Sequence, residues 1–222
     1  MRQIPLPIGL AQACSFESYV AGPNRAAAEH LRQLGPDSAP AYLWGPVGSG
    51  KTHLLQALAA QWQAAGARVA AFGAAAALPW THDDDFKLIL LDDCQALDAP
   101  RQQAAFALLV DATSLGVPWV AAGSLPPVDL PLRDDLRTRL AWGLVFALQP
   151  LSEADARAVL RRAADARGIF LSDEVMDYLL TRFARDLAHL TGLLQRLDTF
   201  ALARQRAVTV PLLRSMLAEE GP

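Results

Sequence analysis

Cysteine is nearly missing from this chain. Only Cys14 and Cys94 occur among its 222 residues, and they stand far apart. No disulfide framework can staple the fold, and the usage points to a reducing compartment. Long apolar runs are missing too. Nothing approaches the roughly 20 residues needed to span a bilayer, so no membrane association is expected. A secretory leader is not recognisable either. Residues 4–13 are fairly apolar, but Pro5 and Pro7 interrupt them, Gln12 sits just before the candidate cleavage position, and Arg2 is the single charge ahead of the run. The expectation is a cytoplasmic protein. A basic excess is also absent: 20 Lys and Arg stand against 23 Asp and Glu, for a formal net charge of −3. A stand-alone duplex binder usually carries a basic face. Internal repeats and low-complexity linkers are absent as well.

What is present is a large apolar fraction, 52% of residues, ample for a packed core. Much of it is alanine, which favours helices and blurs periodicity because it tolerates both faces. The length fits one core with an appended subdomain. Residues 1–14 read as an extended tail. Helices are expected over residues 26–34, 51–65 and 100–115, the last two closing at Gly66 and Gly116. Strands are expected over 41–44, 68–72, 88–91, 117–122 and 144–148. The run Leu88 to Leu91 is continuously apolar, as in a strand buried on both faces of a parallel sheet. Strands alternating with helices imply right-handed crossovers and a three-layer α/β domain over residues 15–150. After Pro150 the texture is all helical. Ser152 and Ser172 stand as N-caps with acidic first turns behind them, and helices follow over about 186–206 and from Thr209 or Val210 to Leu217. Residues 151–222 are read as a small helical lid.

Chemistry is concentrated in two places. Gly45-Pro46-Val47-Gly48-Ser49-Gly50-Lys51-Thr52, with His53 next in the helix, is a complete phosphate-binding loop between a strand and a helix. Its glycines let backbone N–H groups approach phosphate, and the helix presents its positive end. Lys51 is placed to reach the terminal phosphates and Thr52 to offer its hydroxyl to Mg²⁺. Asp92 and Asp93 end the buried strand. Asp92 is the candidate Mg²⁺ anchor and Asp93 the residue that orients an attacking water. Asp93 is one methylene shorter than the Glu common there, so strong hydrolysis by this chain is not assured.

The loop, the Leu90-Leu91-Asp92-Asp93 strand end and the helical lid together resemble the AAA+ ATPases, and the DnaA clade in particular. The segment Phe16 to Asn24 is similar to the one by which that clade holds adenine, which implies contacts from Tyr19 and Val20. Ser124-Leu125-Pro126-Pro127 matches the sensor 1 stretch, although the clade usually has Asp where Ser124 stands. Leu136 to Leu144 is similar to the arginine-finger segment, with Arg139 the candidate finger and Arg137 the weaker one. Arg185 matches the sensor 2 position. For both Arg139 and Arg185 an ordinary ion pair is the bland alternative.

The resemblance covers roughly residues 14–220. No helix-turn-helix domain follows the lid in this sequence, so no dedicated DNA-binding domain is expected. The opening stretch Gln3-Ile4-Pro5-Leu6-Pro7-Ile8 looks like a sliding-clamp-binding peptide, with a frayed terminus as the alternative. Such a pattern within the clade implies a regulator with several properties. It would bind ADP or ATP with Mg²⁺, and dock on the β sliding clamp of DNA polymerase III. It would promote hydrolysis of the ATP held by DnaA, hydrolyse little ATP itself, and so restrain initiation of chromosome replication. Self-association stays open. One rival reading is a DnaA-related ATPase acting as helicase loader or initiation factor. A P-loop small-molecule kinase is another, and the Asp92-Asp93 pair and capped helical lid fit it poorly.

Overall fold

The computed structural model describes residues 14–183 and 187–220. The chain divides into two compact units. One is the α/β unit, which runs to Gly45 and resumes over Lys51–Leu148. The other is helical, Gln149–Pro222, and Pro46–Gly50 is grouped with it.

The α/β unit holds a five-stranded parallel sheet. Its strands are β1 (Ala41–Trp44), β2 (Arg68–Phe72), β3 (Phe86–Leu91), β4 (Trp119–Gly123) and β5 (Leu144–Ala147). Their order across the sheet is β2-β3-β4-β1-β5, and every pairing is parallel. The central strands carry no polar face: β4 is buried at all five positions and β3 at its last four. Alternate residues feed two cores on opposite faces. Tyr42, Ile89, Leu91 and Trp119 pack with Leu108 and Leu109 of α3 (Ala99–Ser114) and with Leu136 and Leu140 of α4 (Asp134–Leu140). Leu43, Leu88, Leu90 and Val120 pack with Leu31 of α1 (Arg25–Arg32) and with Leu54 and Leu58 of α2 (Lys51–Ala64). The result is the three-layer α/β arrangement read from the sequence.

In the helical unit α5 (Glu153–Asp165), α6 (Asp173–Arg182), α7 (Leu187–Arg204) and α8 (Val210–Glu220) enclose their own core. Leu160, Met176, Leu179, Leu194, Leu197 and Leu213 lie in it. Ser152 and Ser172 are the N-caps, accepting from the N–H groups of Asp155 and Val175, so two first-turn donors are satisfied by side chains.

The sequence reading differs from the structure mainly between β4 and β5. It assigns no element to that stretch, which contains the seven-residue helix α4 behind a 3-10 turn at Pro127–Asp129. Two turns of helix are too short for a hydrophobic period to show. Its inward residues are Leu136 and Leu140 alone, four positions apart.

One close approach sets how β5 joins the sheet. Leu144 donates its N–H to Pro40 O at 2.8 Å. A Cβ on Gly143 would stand 1.8 Å from that same carbonyl oxygen. Backbone cannot yield as a flexible side chain would. Gly143→Ala is therefore expected to destabilise the protein by about 3 kcal/mol or more, the upper range for overpacking, read as a lowered urea midpoint at unchanged slope. Gly192 in α7 is the opposite case, since nothing lies within 4 Å of its added Cβ. Gly192→Ala should raise stability by up to about 1 kcal/mol.

Candidate functional site

β1 delivers the chain to the C-terminal edge of the sheet at Trp44, and α2 starts at Lys51. Gly45 anchors the connection by donating its N–H to Gly123 O of β4 at 3.3 Å. Gly48 (φ 79°) and Gly50 (φ 91°) adopt left-handed backbone that residues with a Cβ avoid. Ser49 N–H turns back onto Pro46 O at 3.3 Å. The turn therefore leads straight into the N-terminus of α2, whose first N–H groups have no intrahelical acceptor. Those donors and the positive end of the helix dipole form a backbone cradle for an anion.

Lys51 is only 9% exposed, and its Nζ donates to Gly45 O at 2.8 Å. Burial pulls its pKa below the ordinary lysine value, against the opposing attraction of Asp92 and Asp93. Thr52 Oγ1 donates to Asp92 Oδ2 at 2.7 Å. Asp92 Oδ1 accepts the N–H of Asp93 at 2.8 Å. Asp93 itself holds a left-handed backbone, φ 52°, the kind of strain that clusters at functional sites. Lys51, Thr52, Asp92 and Asp93 are thus one cluster at the edge of the sheet. Among the described residues no group of three or more His, Cys, Asp or Glu could hold a metal ion alone. The Thr52 hydroxyl and one carboxylate fit Mg²⁺ carried in with phosphates and water, the common way this ion is held.

Sequence reasoning missed Gln95. Its Nε2 donates to Asp93 Oδ1 at 3.1 Å, and its Oε1 accepts the N–H of Ser124 at 2.9 Å. The side chain ties the second carboxylate to the end of β4. At Ser124, then, the backbone makes the polar contact, and Gln95 supplies the side chain. Nothing in the sequence marks this, because the left-handed turn at Asp93 and the 3-10 turn Cys94–Ala96 are what bring Gln95 back under β4.

The segment expected to hold adenine is pinned to α2. His53 Nε2 lies 3.0 Å from Ser15 O and 3.3 Å from Ser18 Oγ, and its ring sits 5.4 Å from that of Tyr19. Asn24 Nδ2 donates to Tyr19 Oη at 3.3 Å. Tyr19 and Val20 are half-buried. His53 thus acts here on the 15–19 segment.

Arg139 is not part of this cluster: among the described residues no hydrogen bond or ion pair joins it to the loop or the carboxylates. The arginines around α4 differ sharply. Arg133 pairs with Asp135 at 2.6 Å. Arg137 is tied to Asp134 and also donates to Val128 O. Arg139 makes neither an ion pair nor a side-chain hydrogen bond among the described residues, and lies over the Trp142 ring at 4.8 Å. Of the two finger candidates, Arg137 is occupied and Arg139 is available. Arg185 and the six residues Gln3 to Ile8 lie outside the described residues.

Two family models match the chain: the bacterial DnaA ATPase domain over residues 10–75 and the Hda lid domain over residues 153–217. An uncharacterized protein of Haemophilus influenzae is 30% identical over 233 residues, covering 97% of this chain and 98% of that one. The chain belongs to the Hda family of DnaA-related AAA+ proteins. Solved structures agree on the fold. Domain III of the Thermotoga maritima replication initiation protein DnaA superposes with a TM-score of 0.77 at 21% identity, covering 95% of this Hda-family chain and 98% of that chain. AMPPCP-bound DnaA from Aquifex aeolicus gives 0.66 at 25%, covering 84% and 65%. The RuvB Holliday junction branch migration motor of Thermotoga maritima gives 0.59 at 14%, covering 82% and 61%.

The Gln95 bridge can be tested without any ligand. In Gln95→Glu one oxygen can still accept from Ser124, but the other faces the Asp93 carboxylate as a like charge. Asp93 is exposed, so water and salt screen that repulsion. Urea unfolding at pH 7 should show Gln95→Glu weaker than wild type by up to about 1 kcal/mol, with added salt narrowing the gap.

Proposed function

We propose that this Hda-family chain binds an adenine nucleotide at its own P-loop, docks on the polymerase sliding clamp, and stimulates hydrolysis of ATP held by DnaA. The observation that carries the reading is the Hda lid match over residues 153–217 behind a DnaA-type ATPase domain. The geometry of Arg139 supports it, because a finger acting in trans must keep its guanidinium clear of carboxylates of its own chain. In this reading Gly45, Pro46, Gly48, Ser49 and Gly50 wrap the phosphates with backbone donors. Lys51 would neutralise the terminal charge, and Thr52 and Asp92 would hold Mg²⁺, which screens the phosphate oxygens. Tyr19, Val20 and His53 bound the base. Asp93 is engaged by Gln95, which fits a chain whose own hydrolysis is slow. Arg185 and the Gln3-Ile4-Pro5-Leu6-Pro7-Ile8 peptide enter this proposal on sequence grounds.

Binding stabilises a fold in proportion to ligand excess, about 2.7 kcal/mol at 100 times Kd. ADP with Mg²⁺ should therefore raise the melting temperature, and Lys51→Ala should remove most of that rise. A flat response of wild type to both ADP and ATP would end the nucleotide assignment.

The decisive assay mixes this protein, DNA-loaded clamp and DnaA carrying labelled ATP, and follows ADP formation. A finger supplied in trans accelerates GTPases by ~10³–10⁵. Arg139→Ala should lose most of the stimulation while keeping ADP binding and clamp binding, with Arg137→Ala milder. Replacing Gln3, Leu6 and Ile8 with Ala should weaken clamp binding by orders of magnitude, since burying each aliphatic side chain is worth roughly 1.5–3 kcal/mol. Rapid turnover of ATP by this chain alone, without stimulation of DnaA, would favour the helicase-loader reading instead.

A further inference from the structure

Trp142 is 63% exposed, an unusual position for a tryptophan, and yet its backbone is held from both sides. Its N–H donates to Arg139 O at 3.1 Å, closing the last turn of α4. The next residue, Gly143, is pressed against Pro40, and Leu144 N–H then bonds Pro40 O to begin β5. The ring therefore hangs from a rigid corner rather than from a hydrophobic socket. Arg139 is laid on it with the guanidinium carbon 4.8 Å from the ring centroid. Both side chains face an open groove of roughly 560 Å³, whose other lining residues are Phe106, Asp134, Asp135 and Thr138. Asp134 and Asp135 are already engaged with Arg137 and Arg133.

We propose that Trp142 is the positioning residue for Arg139, a flat platform that holds the guanidinium extended and away from Asp134 and Asp135. The proposal rests on the finger reading above. Stacking occupies only the face of the guanidinium, which is weakly hydrated. The N–H groups around its edge stay free to grip phosphate oxygens in the plane. A long arginine would otherwise sample many rotamers and fall onto the neighbouring carboxylates. The ring removes that freedom before the partner arrives, so less entropy is lost in the complex.

The test uses the full chain, DNA-loaded clamp and DnaA charged with labelled ATP, with Trp142→Phe, Trp142→Leu and Arg139→Ala in parallel. Trp142→Leu should lower the maximal stimulated rate by about two- to fivefold, the loss expected with an exposed cation–π pair. Its half-saturating concentration should stay within about twofold of wild type, and Trp142→Phe, which keeps a π-face, should recover most of the rate. A Trp142→Leu variant as active as wild type overturns the proposal. So does one that changes only the half-saturating concentration, because Trp142 would then be a docking residue. If Arg139→Ala stimulates normally, the finger reading fails and the platform with it. If Arg139→Ala is inactive while Trp142→Leu is normal, the platform alone fails. In the chain by itself, Arg139→Gln should shift the Trp142 indole N–H resonance, and an unmoved resonance would rule out the stacked pair.

Discussion

A buried ammonium is costly unless its surroundings compensate it, and Lys51 is that ammonium here. It follows a loop whose glycines alone can make the turn, and it opens α2 at the C-terminal edge of the sheet. Gly45 O accepts a hydrogen bond from its Nζ, while Asp92 and Asp93 supply opposing charge at the end of β3. The rest of the site is organised around this cation. Thr52 orients Asp92, Asp92 accepts the N–H of Asp93, Gln95 takes the free side of Asp93, and the end of β4 closes the network through Ser124. Lys51 is only 9% exposed, and a cation in such a site attracts an incoming anion more strongly than one in open water.

The parallel sheet is what allows so many groups to meet. β1, β3 and β4 end on the same edge, so the loop after β1, the carboxylates after β3 and the turn after β4 arrive at one place. Each is fixed by strands that are buried on both faces. The neighbouring segment Ser15 to Asn24 is held by side-chain hydrogen bonds instead, through His53, Asn24 and Arg32. It is positioned more softly than the strand ends it borders.

α4 carries a separate kind of chemistry. Its acidic residues engage Arg133 and Arg137 and, among the described residues, leave Arg139 without a carboxylate, supported by an aromatic ring at a rigid corner. One arginine in three is thus kept available. Its neighbours are tied down by short-range pairs that contribute little stability at an exposed surface but settle which cation can reach outward.

Much of the fold was legible in the residues. The continuous apolar run Leu88 to Leu91 required a strand covered on both faces, and the spacing of strands and helices required crossovers in a parallel sheet. Ser152 and Ser172 marked helix starts because a hydroxyl before an acidic first turn has a local role. The phosphate loop was legible for the same reason: glycine positions, Lys51 and Thr52 act within eight consecutive residues. The sequence by itself therefore determined the α/β class, the helical character of the region after Pro150 and the loop that opens α2, since each follows from local sterics and hydrogen bonding. Only the tertiary structure decided that Gln95 bridges Asp93 to Ser124. It alone decided that His53 turns toward Ser15 and Ser18, that Gly143 must pass against Pro40, and that Arg137 is occupied while Arg139 lies on Trp142. These depend on which distant groups a strand end or a short helix brings within 3 to 5 Å, and no pattern along the chain encodes that distance.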